Sequence, residues 1–295
     1  MRQGLLAAAV AYLIWGLFPI YWKLLLAVDA PQIMAHRIVW CLLFVSIWLG
    51  ARDGWRWVRE LSPRLLAMLS TSAVLISINW LIYIWAVNSG HIVETSLGYF
   101  INPLVSVLMG VLILRERLTP GQWLSVAIAT CGVLWLTFQL GHLPWIALTL
   151  AFSFGGYGLV RKLAVVPSVQ GLAVESGLLF LPALGYLLWA EYSGNGAFGH
   201  VSLRMDALLI IAGLITALPL ILFAIGARSV PLSTIGILQY LAPTLQLCVG
   251  VFLFNEPFSH AQAIGFGCIW FALGIYAIDG LWRARQRQLA RRTSA

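Results

Sequence analysis

Apolar residues fill the chain in long runs, separated by short polar clusters such as Asn88, Ser89, Gly90 and His91. The runs lack the strict alternation of a barrel strand, which needs about ten residues to cross a bilayer. Their length, about 20 residues, is what an α-helix needs to cross the hydrocarbon core. The pattern predicts ten spans, at roughly 4–25, 31–50, 65–87, 93–114, 120–138, 143–162, 170–190, 207–227, 231–254 and 260–280. The segment 3–26 reads as the first span rather than a signal peptide, because Pro19 and Lys23 interrupt it. Ten helices use roughly 200 residues and leave only connections and tails. The fold expected is an all-α membrane protein.

Composition narrows the function. The chain of 295 residues is 61% hydrophobic and 9% charged, against about 45–50% and about 25% in soluble domains. So few charges could not cover a soluble enzyme, a disordered chain or a nucleic-acid-binding domain. The net charge of +8 then reads as basic cytosolic loops. With the N-terminus placed inside, Lys23 and Arg204 alone of the basic residues fall outside, and Arg37 lies within a span. That bias predicts both termini on the cytoplasmic side of the membrane. The basic tail, 281–295, would be drawn to anionic headgroups of the bilayer. Cys41, Cys131, Cys248 and Cys268 sit singly in apolar runs and read as packing residues. The chain carries no nucleotide-binding P-loop, no H-E-x-x-H and no G-x-S-x-G motif. No cofactor, metal or catalytic set is therefore expected, and the chain reads as a non-enzyme.

The halves echo each other. Pro103 and Pro243 stand 140 positions apart, and so do Gly110 and Gly250, Glu116 and Glu256, and Gln122 and Gln262. Thr119 with Gln122, and Ser259 with Gln262, have the spacing of a capping box. Glu116 and Glu256 then fall in tight turns, as capping carboxylates or substrate contacts. We expect a first five-helix repeat at 1–138 and a second at 139–280. An odd number of spans inverts the second copy, the arrangement of many secondary transporters, which bind substrate near mid-membrane where the copies meet.

Several intramembrane residues could work there. Pro19, Pro103, Pro219 and Pro243 would each free a backbone carbonyl and kink or break a helix. Thr95, Tyr99, Asn102 and Ser106 share one helical stripe, and Asn79, Trp80 and Tyr83 lie together on the third span. With Trp15, Tyr157 and Gln239 they would give an aromatic-walled cavity with a few hydrogen-bonding groups, the usual form of a small-molecule site. Core packing or an interfacial belt is the alternative for any single aromatic. Arg37, Glu94 and Glu175 are ionisable groups inside spans, where burial is costly. Arg37 would attract an anionic group or hold a gate by pairing. Glu94 or Glu175 would bind a coupling proton or sit in an ion pair. Ala263 and Gly267 form a small-x-x-x-small pair that would pack a homodimer or helices of one chain.

The run from Asn79 to Asn88, with Gly90 and His91 and then Ser96 to Leu104, resembles the RarD group of the EamA-type drug/metabolite transporter superfamily. Further matching pieces are Tyr12, Trp15, Gly16, Pro19, Tyr21 and Lys23; His36 to Trp40; and Leu238 to Thr244. The resemblance covers essentially the whole chain. It implies ten helices in two inverted repeats, an inner-membrane permease for drugs or metabolites that is usually an exporter, and the family label "chloramphenicol-sensitive protein". It also implies a central cavity lined by the first, third, fourth, sixth, eighth and ninth spans. Two other readings stay open: an amino-acid or metabolite exporter with an incidental drug effect, and a non-transporting scaffold or sensor.

Overall fold

Every long apolar run becomes a helix, and no strand occurs among the described residues of the computed structural model, which are 2–52, 54–88, 92–138, 142–254 and 259–293. The first run is split into α1 (Arg2–Gly16) and α2 (Phe18–Lys23). Then come α3 (Ala30–Arg52), α4 (Pro63–Asn88), α5 (Ile92–Leu112) and α6 (Pro120–Phe138). The second half holds α7 (Trp145–Leu163), α8 (Ser168–Tyr192) and α9 (Leu203–Ser229). Its next run is split into α10 (Leu232–Leu238) and α11 (Leu241–Cys248), ending in a wider π turn (Val249–Leu253); α12 (His260–Thr293) closes the chain.

Among the described residues, eight helical segments are long and apolar enough to cross a membrane. The expected fourth and sixth spans are helical but do not meet that test. For α5 only Leu97–Leu112 enters that count, because most side chains of its first turn lie outside the described residues. In α7, Gly155, Gly156 and Gly158 with Arg161 and Lys162 dilute the apolar side chains. Large apolar residues such as Leu26, Phe138, Leu181 and Phe271 are exposed on the outside of the bundle. A soluble protein rarely leaves so much apolar surface uncovered; a chain solvated by lipid does. The chain is a multi-pass membrane protein.

Local chemistry sets the helix ends. Thr119 accepts the Gln122 amide at 3.2 Å on Oγ1, and the Thr119 amide donates back to Gln122 Oε1 at 2.9 Å. That is the capping box the spacing predicts. The side chain of Gln262, which would complete its counterpart, lies outside the described residues, as do the turns holding Glu256 and Ser89 to His91.

First-half helices pack mainly on second-half helices: α1 on α9 and α11, α3 on α8 and α9, α4 on α7 and α8, α5 on α7 and α10, and α6 on α12. The α5–α10 seam is tight because Gly236 lets the backbones meet; a Cβ there would lie 2.5 Å from the Pro103 carbonyl oxygen.

The two ends of the bundle differ. At the end carrying Arg2, Glu116 reaches from the turn after α5 to the start of α10. Its carboxylate accepts the Leu232 and Ser233 amides at 2.7 and 2.9 Å and the Ser233 hydroxyl at 2.8 Å. Lys162 stands 3.8 Å from it and donates to the Ala227 and Val230 carbonyls that end α9, at 3.2 and 2.6 Å. Glu116 is thus a capping carboxylate, though for a helix of the other half rather than for its own turn. At the opposite end a vestibule opens between Leu25, Asp29, Met34, Trp22, Trp80 and Tyr83.

Candidate functional site

The site starts at a broken helix. Pro19 has no N–H, so the Trp15 carbonyl loses its helical donor, and the chain breaks between α1 and α2 at Leu17. Gln246 of α11 donates Nε2 to that carbonyl at 3.2 Å. The run containing Pro243 breaks similarly at Gln239 and Tyr240, between α10 and α11. At Pro103 and Pro219, by contrast, α5 and α9 continue without interruption. The matched prolines Pro103 and Pro243 therefore differ: one lies inside a continuous helix and the other just past a break.

Between these breaks lies a cavity of about 140 Å³. Trp15, Asn79, Trp80, Tyr83, Tyr99, Asn102 and Gln239 all line it, together with Arg37. It draws on the first, third, fourth, sixth, eighth and ninth spans, plus the second through Arg37.

Tyr157 does not line it. That ring stacks on Phe223, with centroids 5.8 Å apart and planes at 17°, while Phe154, one turn earlier on α7, takes the wall position. Tyr157 instead borders a smaller neighbouring pocket shared with Arg37, Glu175 and Thr216. Among the wall residues that sequence reasoning missed are Trp22, Phe154 and Thr216. Trp22 follows Trp15 by two helical turns, Phe154 precedes Tyr157 by one, and Thr216 is a hydroxyl one turn before Pro219. Those spacings were available signals.

The walls are aromatic. Trp15 sits 5.5 Å from Tyr12, 5.6 Å from Phe154 and 5.7 Å from Phe223. Tyr83 meets Tyr99 edge to face at 5.8 Å. The Arg37 guanidinium lies over Trp22 and Trp80, 4.8 and 4.7 Å from the ring centres, and gives Nε to Thr216 Oγ1 at 2.8 Å. Cation–π contact and one charge-assisted hydrogen bond hold it in place.

The amides divide by partner. Asn79 spends its Nδ2 on the Leu150 carbonyl at 2.9 Å and Ser153 Oγ at 3.1 Å, tying α4 to α7. Gln239 Oε1 accepts from Ser106 at 3.2 Å across the α5–α10 seam. Asn102 is 3% exposed, and no donor among the described residues reaches its Oδ1. The hydroxyl of Tyr12, on the same wall, is likewise buried without a partner there.

Glu175 stands apart from the cavity. It is fully buried, accepts from Ser72, and pairs with Arg161 Nη1 at 3.4 Å. Arg161 also donates to the Ser168 carbonyl at 3.2 Å. The side chain of Glu94 lies outside the described residues.

Against known proteins, the profile described as "EamA-like transporter family" matches twice, over residues 2–138 and 144–278. "Protein RarD" of Streptomyces exfoliatus is 47% identical, over 97% of this chain and 91% of that protein. "Uncharacterized transporter YojE" of Bacillus subtilis is also 47% identical, over 94% of each. A solved crystal structure, 20% identical, superposes with a TM-score of 0.70 over 92% of this chain and 96% of its own, which bears on the fold alone.

Proposed function

The chain belongs to the EamA-like transporter family and is of the RarD type, and from that premise we propose that it is a secondary transporter, working as an exporter, for small metabolites or drugs. The central cavity would bind solute and face each side of the membrane in turn. The observation that carries this reading is a polar, aromatic-walled cavity at the contact of the halves, with a vestibule at one end of the bundle and the Glu116 contacts at the other.

Two inverted five-helix repeats and ten spans belong to the same reading. The two successive family matches support them. So do matched caps: Ser62 accepts the Leu65 amide, and Ser202, 140 positions on, accepts the Met205 amide, each at 3.2 Å. Exchanging corresponding helices turns the α1–α11 pair into α7–α5 and the α3–α9 pair into α8–α4, and all four pairs occur. Both termini would face the cytoplasm of a bacterial inner membrane, which places the vestibule outside.

Reconstitution into proteoliposomes tests the function. Saturable flux of a solute, abolished when the cavity is filled by Asn102→Trp, is expected. Absence of flux under every imposed gradient would favour a scaffold or sensor. Single cysteines in a cysteine-free background test the inversion. Arg64→Cys and Arg204→Cys, both exposed and 140 positions apart, should label from opposite faces.

A further inference from the structure

We infer that the cavity is built for a single-ring aromatic acid carrying one negative charge and a hydrogen-bond donor. The inference rests on the transport reading for its purpose, but its argument is electrostatic and geometric.

Arg37 is the one Lys, Arg, Asp or Glu side chain on the described cavity wall. No carboxylate among the described residues pairs with it, and only its Nε has a hydrogen-bond partner there. The nearest buried acid, Glu175, is compensated by Arg161 and Ser72. The small pocket between Arg37 and Glu175 is walled by Ile76, Leu172, Leu179 and Leu220 together with Cys41, Ser176 and Thr216, and no ion pair or hydrogen bond joins the two charges there. A guanidinium kept inside a membrane span without a counter-charge is costly. An anionic ligand supplies that counter-charge, and Arg still has donors for a bidentate carboxylate contact. A cationic ligand would meet like charge in a poorly screened site.

The second requirement comes from Asn102. Its Oδ1 is an acceptor, nine-tenths or more buried, on the cavity wall and without a donor among the described residues. Native structures rarely leave such an atom unpaired, so a ligand N–H or O–H fits it. Size and shape supply the third requirement. About 140 Å³ falls below the ~300–1,000 Å³ of drug-sized pockets, and Trp15, Trp80 and Tyr99 among its lining residues suit a single aromatic ring.

The charge series of probes is 4-hydroxybenzoate, its neutral amide 4-hydroxybenzamide, and the cation tyramine, with benzoate as the control lacking the ring hydroxyl, all titrated against the full chain in nanodiscs by tryptophan fluorescence. The carboxylate should bind at least tenfold more tightly than the amide, and tyramine more weakly still. In Arg37→Gln the carboxylate preference should fall to within about twofold. In Asn102→Ala the advantage of 4-hydroxybenzoate over benzoate should disappear. Equal binding of the three probes, binding of none, or a charge preference that survives Arg37→Gln overturns the inference. The wild-type charge series decides even if a variant does not fold. Flux is read separately in proteoliposomes. Charge-selective binding without flux would sink the transport reading and leave this site standing; flux of neutral solutes without charge selectivity would do the reverse.

Discussion

Asn79 and Asn102 look alike in the sequence, each an amide within an apolar run. Their surroundings separate them. Asn79 donates to Leu150 and Ser153, so Asn79→Ala removes two buried hydrogen bonds, at about 1–3 kcal/mol if an acceptor is left unsatisfied. Asn102 Oδ1 has no donor to lose. Thermal unfolding in detergent should therefore drop by several degrees for Asn79→Ala and clearly less for Asn102→Ala, whereas solute binding should weaken most in the latter. The buried Glu175 gives a second contrast. Glu175→Gln leaves Arg161, 1% exposed, without its counter-charge, a loss of about 3–5 kcal/mol. Replacing the pair by Glu175→Leu with Arg161→Met should be milder, and comparison of the two melting temperatures checks it. The sequence could mark all these residues as polar groups in lipid. It could not say which were satisfied, because that depends on neighbours brought together by the fold, such as Leu150, 71 positions away, for Asn79.

Helices were the most predictable part, because period and length follow from the bilayer. Their interruptions were less so. Five prolines lie within spans, yet continuous helix runs through Pro103, Pro182 and Pro219, while breaks occur beside Pro19 and before Pro243. A proline frees one carbonyl wherever it stands; what happens next depends on whether a neighbour takes that carbonyl. At Pro19 the neighbour is Gln246, a partner invisible to local patterning. Gln246→Leu should strand the Trp15 carbonyl and destabilise the fold by about 1–3 kcal/mol. Pro19→Ala restores an N–H four residues after Trp15, so the double variant should lose less than the sum of the single losses. A double-mutant cycle on unfolding in detergent measures that coupling; strict additivity would mean that Gln246 is not the acceptor's substitute donor.

The bundle as a whole is asymmetric from end to end, and Glu116 is where that asymmetry is concentrated. Its carboxylate links the turn after α5 to the first amides of α10, so the halves cannot part at the Arg2 end while those bonds hold. A carboxylate at a helix N-terminus gains from the exposed N–H groups and the helix dipole, and charge-assisted bonds of this kind are roughly twice as strong as neutral ones. The offset between Glu116 and Glu256 could be read from the sequence, but not the fact that the carboxylate serves a helix of the opposite half. Glu116→Ala should release the Leu232 and Ser233 amides. A loss of about 1.4 kcal/mol corresponds to tenfold faster exchange, so hydrogen–deuterium exchange of the peptide spanning 230–238 should accelerate by about that factor or more. Amides of α6, capped by its own Thr119 and Gln122, should exchange at the unaltered rate. If both regions accelerate equally, Glu116 stabilises the bundle generally; if only α10 responds, it holds one end of the cavity shut.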